Sequence, residues 1–147
     1  MMNQDRRIKI HKHYVSLFQD LKTHGIVNEY QQLFMIAFAL GAKHKQWHEE
    51  RDGLTAIIRA VIFSEDQINL MRSILYEREK TIHTDDDTLT KAESIVTTGL
   101  EYLTRHILSN YVSQTENGNY HLIPGNSNEV ILSLGEYVYQ DSTSIPF

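Results

Sequence analysis

Apolar and polar residues alternate over residues 6–11, which predicts a short β-strand. The two isoleucines of this segment share one face of the strand, and the opposite face carries Arg7, Lys9 and His11. Beyond the strand, apolar residues recur every three or four positions. This spacing predicts an amphipathic helix, and Gly25 is a natural end for it.

A second helix is predicted over residues 29–42, and Asn28 is a suitable N-cap for it. Apolar residues cover nearly the whole circumference of this helix. It must therefore be buried on more than one side, either in its own domain or against a partner subunit. Gly41 either ends the helix or allows another element to pack closely against it.

Residues 54–63 have an ambiguous pattern, because they are apolar and rich in β-branched side chains. A run this short fits a strand or a buried helix, and the spacing of its apolar positions favours a helix. Ser64 and Gln67 have the spacing of a capping box, which predicts the start of a helix that extends to about Lys80.

The next segment, residues 81–88, is predicted to be a loop. Thr90 and Glu93 have the spacing of a second capping box, which predicts a helix over residues 91–112. Gly99 lies inside this helix, where glycine costs about 1 kcal/mol relative to alanine unless a neighbour packs close to it.

The C-terminal part of the chain begins with a turn-rich segment, residues 113–128, in which the pair Asn117-Gly118 can close a small hairpin. Residues 129–140 fit a helix by the spacing of their apolar positions and a strand by their composition. The pattern leaves both possibilities open for this last element.

These elements predict a mainly α fold: a compact helical domain with a short N-terminal strand and a small C-terminal hairpin. We expect a single domain over residues 1–147. It comprises a strand-helix-helix segment (6–42), a helical body (43–112) and a turn-rich C-terminal extension (113–147).

Composition excludes several classes of protein. The chain has 147 residues, of which 41% are hydrophobic, and no cysteine. Disulfides, thiolate nucleophiles and Cys-based metal sites are therefore excluded. No apolar run has the length of a membrane span, and no apolar signal core follows the first residues. We expect a soluble, cytoplasmic protein that does not enter a membrane.

The net charge of −5 is distributed unevenly along the chain. Residues 1–48 carry seven Lys and Arg against three Asp and Glu, whereas the remaining residues carry seven against sixteen. Five of the eight histidines also lie in the first 48 residues. This asymmetry indicates that the basic part meets a polyanion, although ordinary variation of a protein surface would also produce it.

The order strand, helix, glycine turn and buried helix over residues 6–42 resembles the ribbon-helix-helix family of dimeric DNA-binding proteins. The resemblance implies that Arg7, Lys9 and His11 point toward base edges in the major groove. It also implies that Asn28 and the backbone N–H groups after it hold a phosphate, and that the second helix forms the core of a dimer.

A longer resemblance covers residues 5–110. The basic "DRRI", the segment "AFALGAK" (37–43) and the later "GLEYL" (99–103) are similar to the small accessory proteins of bacterial DNA phosphorothioation (Dnd) systems. This resemblance implies a place in a DNA-modification or phage-defence operon. It implies no catalytic chemistry.

Candidate catalytic and metal sites are weak. His44 and His48 would share one face of a helix, as a pair of metal ligands does, but no third ligand is evident and we expect no metal. Adjacent aspartates at 85–87 cannot all point at one ion, and we expect them to favour a helix N-terminus. Neither a Gly-rich phosphate loop nor a nucleophile elbow is present. Trp47 is expected at the edge of the core.

The sequence therefore favours a protein without catalytic activity or cofactor: an accessory protein of a prokaryotic DNA-modification or antiphage system. It would act through protein partners and through DNA, and we expect a homo-oligomer, specifically a homodimer through residues 29–42. The predicted nucleic-acid-binding residues are Arg6, Arg7, Lys9, His11, Lys12 and Asn28.

Two alternatives remain open. A ribbon-helix-helix transcriptional regulator would use residues 49–147 as a sensor or oligomerisation domain. A small hydrolase or nuclease would need a pocket that gathers the scattered His and Asp residues, and no motif in the chain supports one.

Overall fold

The computed structural model describes residues 5–48 and 51–144, with side chains as far as residue 137. Its strands are β1 (Arg7–His11), β2 (Leu54–Arg59), β3 (Val112–Gln114) and β4 (Tyr120–Leu122). Its α-helices are α1 (Val15–Thr23), α2 (Tyr30–Ala42), α3 (Glu65–Glu79), α4 (Asp85–Tyr102) and α5 (Ser127–Ser144). The prediction of a mainly α fold with a short N-terminal strand is confirmed.

The packing of α2 against α4 forms the centre of the fold. A Cβ atom at Gly41 of α2 would overlap the carbonyl oxygen of Ile95, and one at Gly99 of α4 would overlap that of Ala37. The two backbones therefore touch at both glycines, as the sequence had allowed. Helix α2 buries its apolar residues within its own chain, among them Phe34, Ala37 and Phe38.

Strands β1 and β2 pair antiparallel, although they are more than forty residues apart along the chain. The helix predicted over residues 54–63 is wrong: the segment is a strand to Arg59, followed by a short 3₁₀ turn, Ala60–Ile62. The segment forms a strand because it pairs with a part of the chain that is distant in sequence. Ile58 lies opposite Ile8, and both are buried on the core side of the ribbon.

The capping box of Ser64 and Gln67 is confirmed at the start of α3. The second predicted capping box is wrong, because α4 begins at Asp85, five residues before Thr90. The hydroxyl of Thr84 accepts the N–H of Asp87 at 3.1 Å and caps the helix. The aspartates at 85–87 form its first turn, where negative charge is favourable, as predicted.

Strands β3 and β4 form the predicted small hairpin around Asn117-Gly118, and Gly118 has a φ of 88°. The hairpin packs on α1, where the carboxylate of Asp20 accepts the N–H of Leu122 at 3.1 Å. Residues 129–140 belong to helix α5, which settles the ambiguity of their pattern.

The helix predicted to end near residue 112 ends earlier, since α4 continues only as a π-helical turn, Leu103–Ile107. Within the two described stretches of chain, none of the helices combines the length and the apolar composition needed to cross a membrane.

Candidate nucleic-acid interface

The outward face of the β1–β2 ribbon is basic. Arg7 lies directly opposite Arg59, and Lys9 follows on the same face of β1. All three side chains are exposed. Within residues 5–48 and 51–144, none of the three side chains has an ion-pair or hydrogen-bond partner. We refer to Arg7, Lys9 and Arg59 as the basic ribbon face.

The pairing of Arg7 with Arg59 opposes folding. Like charges directly opposite each other on an antiparallel pair are destabilising, because their side chains project from neighbouring points on one face. A bound anion between them would turn this repulsion into attraction. The arrangement therefore suits contact with a polyanion better than it suits the isolated fold.

Arg6 lies beside this face, but its side chain contacts residues of α4. Its Nη2 donates to the Oγ1 of Thr90 at 3.0 Å, and its Nε lies 3.6 Å from the carboxylate of Asp86. A shallow depression of about 370 Å³ is lined by Arg6, Arg7, Lys9 and Asp86. Three cations and one carboxylate line it, so the local charge is positive.

Glu93 supports the ribbon from below. Its side chain is only 2% exposed, and its Oε2 accepts the backbone N–H of Lys9 at 2.7 Å. Its Oε1 accepts a hydrogen bond from Nη2 of Arg51, also at 2.7 Å. The strand pairing shifts register between Ile8 and Lys9, so the carboxylate takes the amide at an irregular point of the ribbon.

His11 and Lys12, at the end of β1, have different surroundings. The Nδ1 of His11 accepts the N–H of His13 at 3.3 Å, and the two imidazole rings lie 4.5 Å apart. His11 is half-buried and faces its neighbours along the chain. Lys12 is exposed in the turn that follows, so it extends the basic surface beyond the ribbon.

Asn28 is not the N-cap of α2, and that prediction is wrong. The cap is Glu29, which forms a capping box with Gln32. The Oε1 of Gln32 accepts the N–H groups of Asn28, at 2.6 Å, and of Glu29, at 3.3 Å. These amides are already bonded within the chain, and a carboxylate stands beside them. The geometry gives Asn28 no visible role in holding a phosphate.

The sequence did not identify Arg51 or Arg59 as candidates. Arg59 becomes part of the basic ribbon face only because residues 54–59 form a strand that pairs with β1. The β-branched composition of that segment was the available signal, since such residues favour strands. Arg51 carries no local signal, because its partner Glu93 lies 42 residues further along the chain.

The histidines considered as metal ligands do not share a helix face. Helix α2 ends at Ala42, before both His44 and His48. The Nε2 of His48 instead lies 3.1 Å from a carboxylate oxygen of Glu101. In the part of the chain that the structure describes, no three His, Cys, Asp or Glu side chains come together as a metal site.

No protein-family model matches the chain, and no curated protein or solved structure is significantly similar to it. Its function is therefore inferred from its own residues and their geometry.

Proposed function

We propose that this protein is a non-catalytic DNA-binding accessory protein that grips the phosphate backbone of a duplex with its basic ribbon face. The observation that carries the proposal is the cross-strand pair of Arg7 and Arg59, two exposed guanidinium groups held side by side without a carboxylate partner in the described chain.

A phosphate backbone relieves the repulsion between these groups. Each Lys or Arg that neutralises a phosphate also releases condensed counterions from the duplex, which favours binding at low salt. Arginine can bond two phosphate oxygens at once through its planar fork of donors. The ribbon offers two arginines and one lysine over a short surface, enough for weak binding without sequence preference.

The remaining surface limits how the duplex can lie. The carboxylate of Asp86, exposed in the first turn of α4, flanks the ribbon near Arg6. Residues 49–147 carry nine more acidic than basic side chains and would repel a duplex. The DNA contact is therefore confined to the ribbon, and the acidic surface is left for protein partners.

The resemblance to accessory proteins of DNA phosphorothioation systems supports a cellular setting for this contact. In that setting the protein works in the cytoplasm, within a DNA-modification or antiphage complex. It tethers a protein partner to DNA and performs no chemistry on the DNA itself.

A regulator of ribbon-helix-helix type has less support. In such dimers, β1 would pair with the same strand of a second subunit. Here β1 pairs with β2, and the amide of Lys9 donates to Glu93. Helix α2 packs on α4 within the chain, so its buried face is not available to a second subunit. The homo-oligomer stays a prediction, and it would use another surface.

The experiment is a titration of a labelled random duplex by fluorescence anisotropy over a series of salt concentrations. We expect the affinity of the wild-type protein to fall steeply with salt. In the Arg7→Ala/Lys9→Ala variant, the slope of log affinity against log salt decreases by roughly two, since two phosphate contacts are lost.

The matched control is Lys22→Ala/Lys80→Ala, which removes the same charge from exposed positions that form ion pairs with the surface glutamates Glu29 and Glu77. Its salt slope stays near that of the wild type. Equal slopes for both double variants would mean that net charge, and not the basic ribbon face, drives binding. A single preferred sequence protected from nuclease would favour the regulator.

A further inference from the structure

The C-terminal end of α4 widens into a π-helical turn, Leu103–Ile107. The N–H of Leu108 donates to the carbonyl of Leu103, five residues back, at 2.8 Å. The hydroxyl of Thr104 donates to the carbonyl of Leu100 at 2.9 Å. Such turns are rare and are frequently found at functional sites.

The residues around this turn form an aromatic cluster centred on Tyr102. Its ring centroid lies 5.3 Å from that of His44, 4.8 Å from that of His106 and 6.0 Å from that of Tyr137. These contacts join three separate parts of the chain: the segment after α2, the end of α4 and helix α5. The cluster is distinct from the basic ribbon face. By the helical rise, Tyr102 lies about 14 Å further along α4 than Glu93, the residue that contacts the ribbon.

Two adjoining depressions open on this cluster, and both include Tyr102 and His106. The smaller, of about 130 Å³, is lined by His44, Thr98, Glu101, Tyr102, Arg105 and His106. The larger, of about 240 Å³, extends to Ser133, Glu136 and Tyr137 on α5. The smaller holds roughly four water volumes, which is room for a phosphate group. Together they reach the lower end of the sizes of small-ligand pockets, about 300 Å³ and upward.

The smaller depression holds side chains that can donate hydrogen bonds to an anion. Arg105 is exposed there, and its guanidinium has no ion pair in the described chain. His44 and His106 add two imidazoles. The one carboxylate lining the smaller depression, that of Glu101, has an oxygen 3.1 Å from the Nε2 of His48.

The larger depression offers aromatic surface. The rings of Tyr102 and Tyr137 flank it, and Lys43 lies 6.0 Å from the centroid of Tyr137. Burial and a hydrogen bond with Tyr102 raise the pKa of Tyr137 to about 12. A planar ring could stack there, as bases do on aromatic side chains.

We propose that these two depressions form one site for a nucleoside phosphate, with the phosphate beside Arg105, His44 and His106 and the base against Tyr102 and Tyr137. The ligand is either a free mononucleotide or the phosphorylated end of a DNA strand. A free mononucleotide as the ligand goes beyond the proposed function. The phosphorylated end of a DNA strand as the ligand rests on the proposed function, because it requires that the protein contacts DNA.

The first arm of the test titrates the protein with a nucleoside 5′-monophosphate, the corresponding nucleoside and inorganic phosphate by calorimetry. The second compares two short oligonucleotides that differ only in a 5′-phosphate or a 5′-hydroxyl. The variants are Arg105→Ala, at an exposed position, and Arg7→Ala/Arg59→Ala in the basic ribbon face.

Binding of the mononucleotide, with weaker binding of the nucleoside and of phosphate alone, identifies a free ligand. A preference for the phosphorylated oligonucleotide without mononucleotide binding identifies a strand end. In either case Arg105→Ala lowers the affinity or the preference about tenfold, and Arg7→Ala/Arg59→Ala leaves it unchanged. The proposed site is wrong if the protein shows neither mononucleotide binding nor a preference for the phosphorylated oligonucleotide. It is also wrong if the binding or the preference is unchanged in Arg105→Ala. Loss of duplex binding in Arg7→Ala/Arg59→Ala alone bears on the proposed function and not on this site.

Discussion

The backbone N–H of Lys9 donates to the buried carboxylate of Glu93 at 2.7 Å, which ties the irregular point of the β1–β2 ribbon to helix α4. The same carboxylate bonds the guanidinium of Arg51. One acidic side chain thus holds the ribbon in place and anchors the segment that leads into β2. The basic ribbon face depends on this support for its position.

Replacing Glu93 with alanine should destabilise the fold strongly. The change leaves the Lys9 amide and the Arg51 guanidinium without their acceptor, at an expected cost of about 3 kcal/mol. Glu93→Gln keeps one oxygen for the amide and should cost less. Urea unfolding followed by circular dichroism measures both. Glu77→Ala, at an exposed surface pair, is the control and should change stability little. A loss in Glu93→Ala no larger than the control's would remove Glu93 from this role.

The two glycines at the α2–α4 contact should not tolerate alanine. A Cβ at Gly41 or Gly99 would overlap a carbonyl oxygen of the facing helix, and overpacking of this kind costs about 3 kcal/mol. Gly135 on α5 has open space around it, so Gly135→Ala should stabilise the protein by about 0.5 to 1 kcal/mol. Thermal unfolding of the three variants gives the comparison. A shift of the unfolding midpoint in the same direction for all three variants would contradict the close contact of α2 with α4 at Gly41 and Gly99.

Arg78 should hold Trp47 against the end of α2. Its guanidinium lies 3.9 Å from the centroid of the Trp47 ring, and its Nη2 donates to the carbonyl of Ala42 at 2.9 Å. The indole Nε1 donates to the carbonyl of Gly41 at 3.0 Å. In Arg78→Ala, the indole loses its covering cation and becomes more hydrated, so its fluorescence should shift to longer wavelength.

Trp47 is the only tryptophan of the chain, so the signal has a single source. Arg78→Lys keeps the charge but not the planar stack, and should shift the emission partly. Arg105→Ala serves as the control. Unchanged emission in Arg78→Ala would show that the stacked pair does not persist in solution.

Stability should decline in acid partly through Glu79. Desolvation raises the pKa of its carboxyl, but hydrogen bonds from Lys91 and His83 outweigh this and hold it below the ordinary value of 4.5. A lowered pKa in the folded state means that the stabilisation is present above that ordinary value. It is then lost as the pH falls through the lowered one.

Glu79→Gln should therefore flatten the acid limb of a plot of unfolding midpoint against pH. At higher pH the plot should keep the shape that it has for the wild type. Glu77→Gln, a more exposed neighbour on the same helix, provides the comparison. An acid limb as steep in Glu79→Gln as in the wild type would assign the loss to other carboxylates.

Local signals in the sequence located several elements correctly. Ser64 with Gln67 and Asn117 with Gly118 act on backbone groups only a few residues away, so their neighbours alone decide the outcome. Elements decided by distant partners were not predictable in this way. Residues 54–59 form a strand because β1 supplies its partner, against a spacing that favoured a helix.

The misplaced start of α4 has the same origin. Thr90 and Glu93 have the spacing of a capping box, but the hydroxyl of Thr90 accepts a hydrogen bond from Arg6 and the carboxylate of Glu93 accepts the amide of Lys9, each more than eighty residues earlier. The π-helical turn and its aromatic cluster likewise depend on contacts between three parts of the chain. The candidate site was thus predictable as far as Arg7 and Lys9, and the part that Arg59 adds became visible only with the fold.

The most direct test of the basic ribbon face is the urea unfolding midpoint of Arg59→Ala and of the wild type, each with and without a random duplex at low salt. Removing Arg59 relieves its repulsion with Arg7, so the variant alone should be at least as stable as the wild type. A duplex that binds the folded state raises the midpoint, and this rise should be clearly smaller in the variant. An equal rise in both proteins, or no rise in the wild type, would contradict the proposal that this face binds DNA.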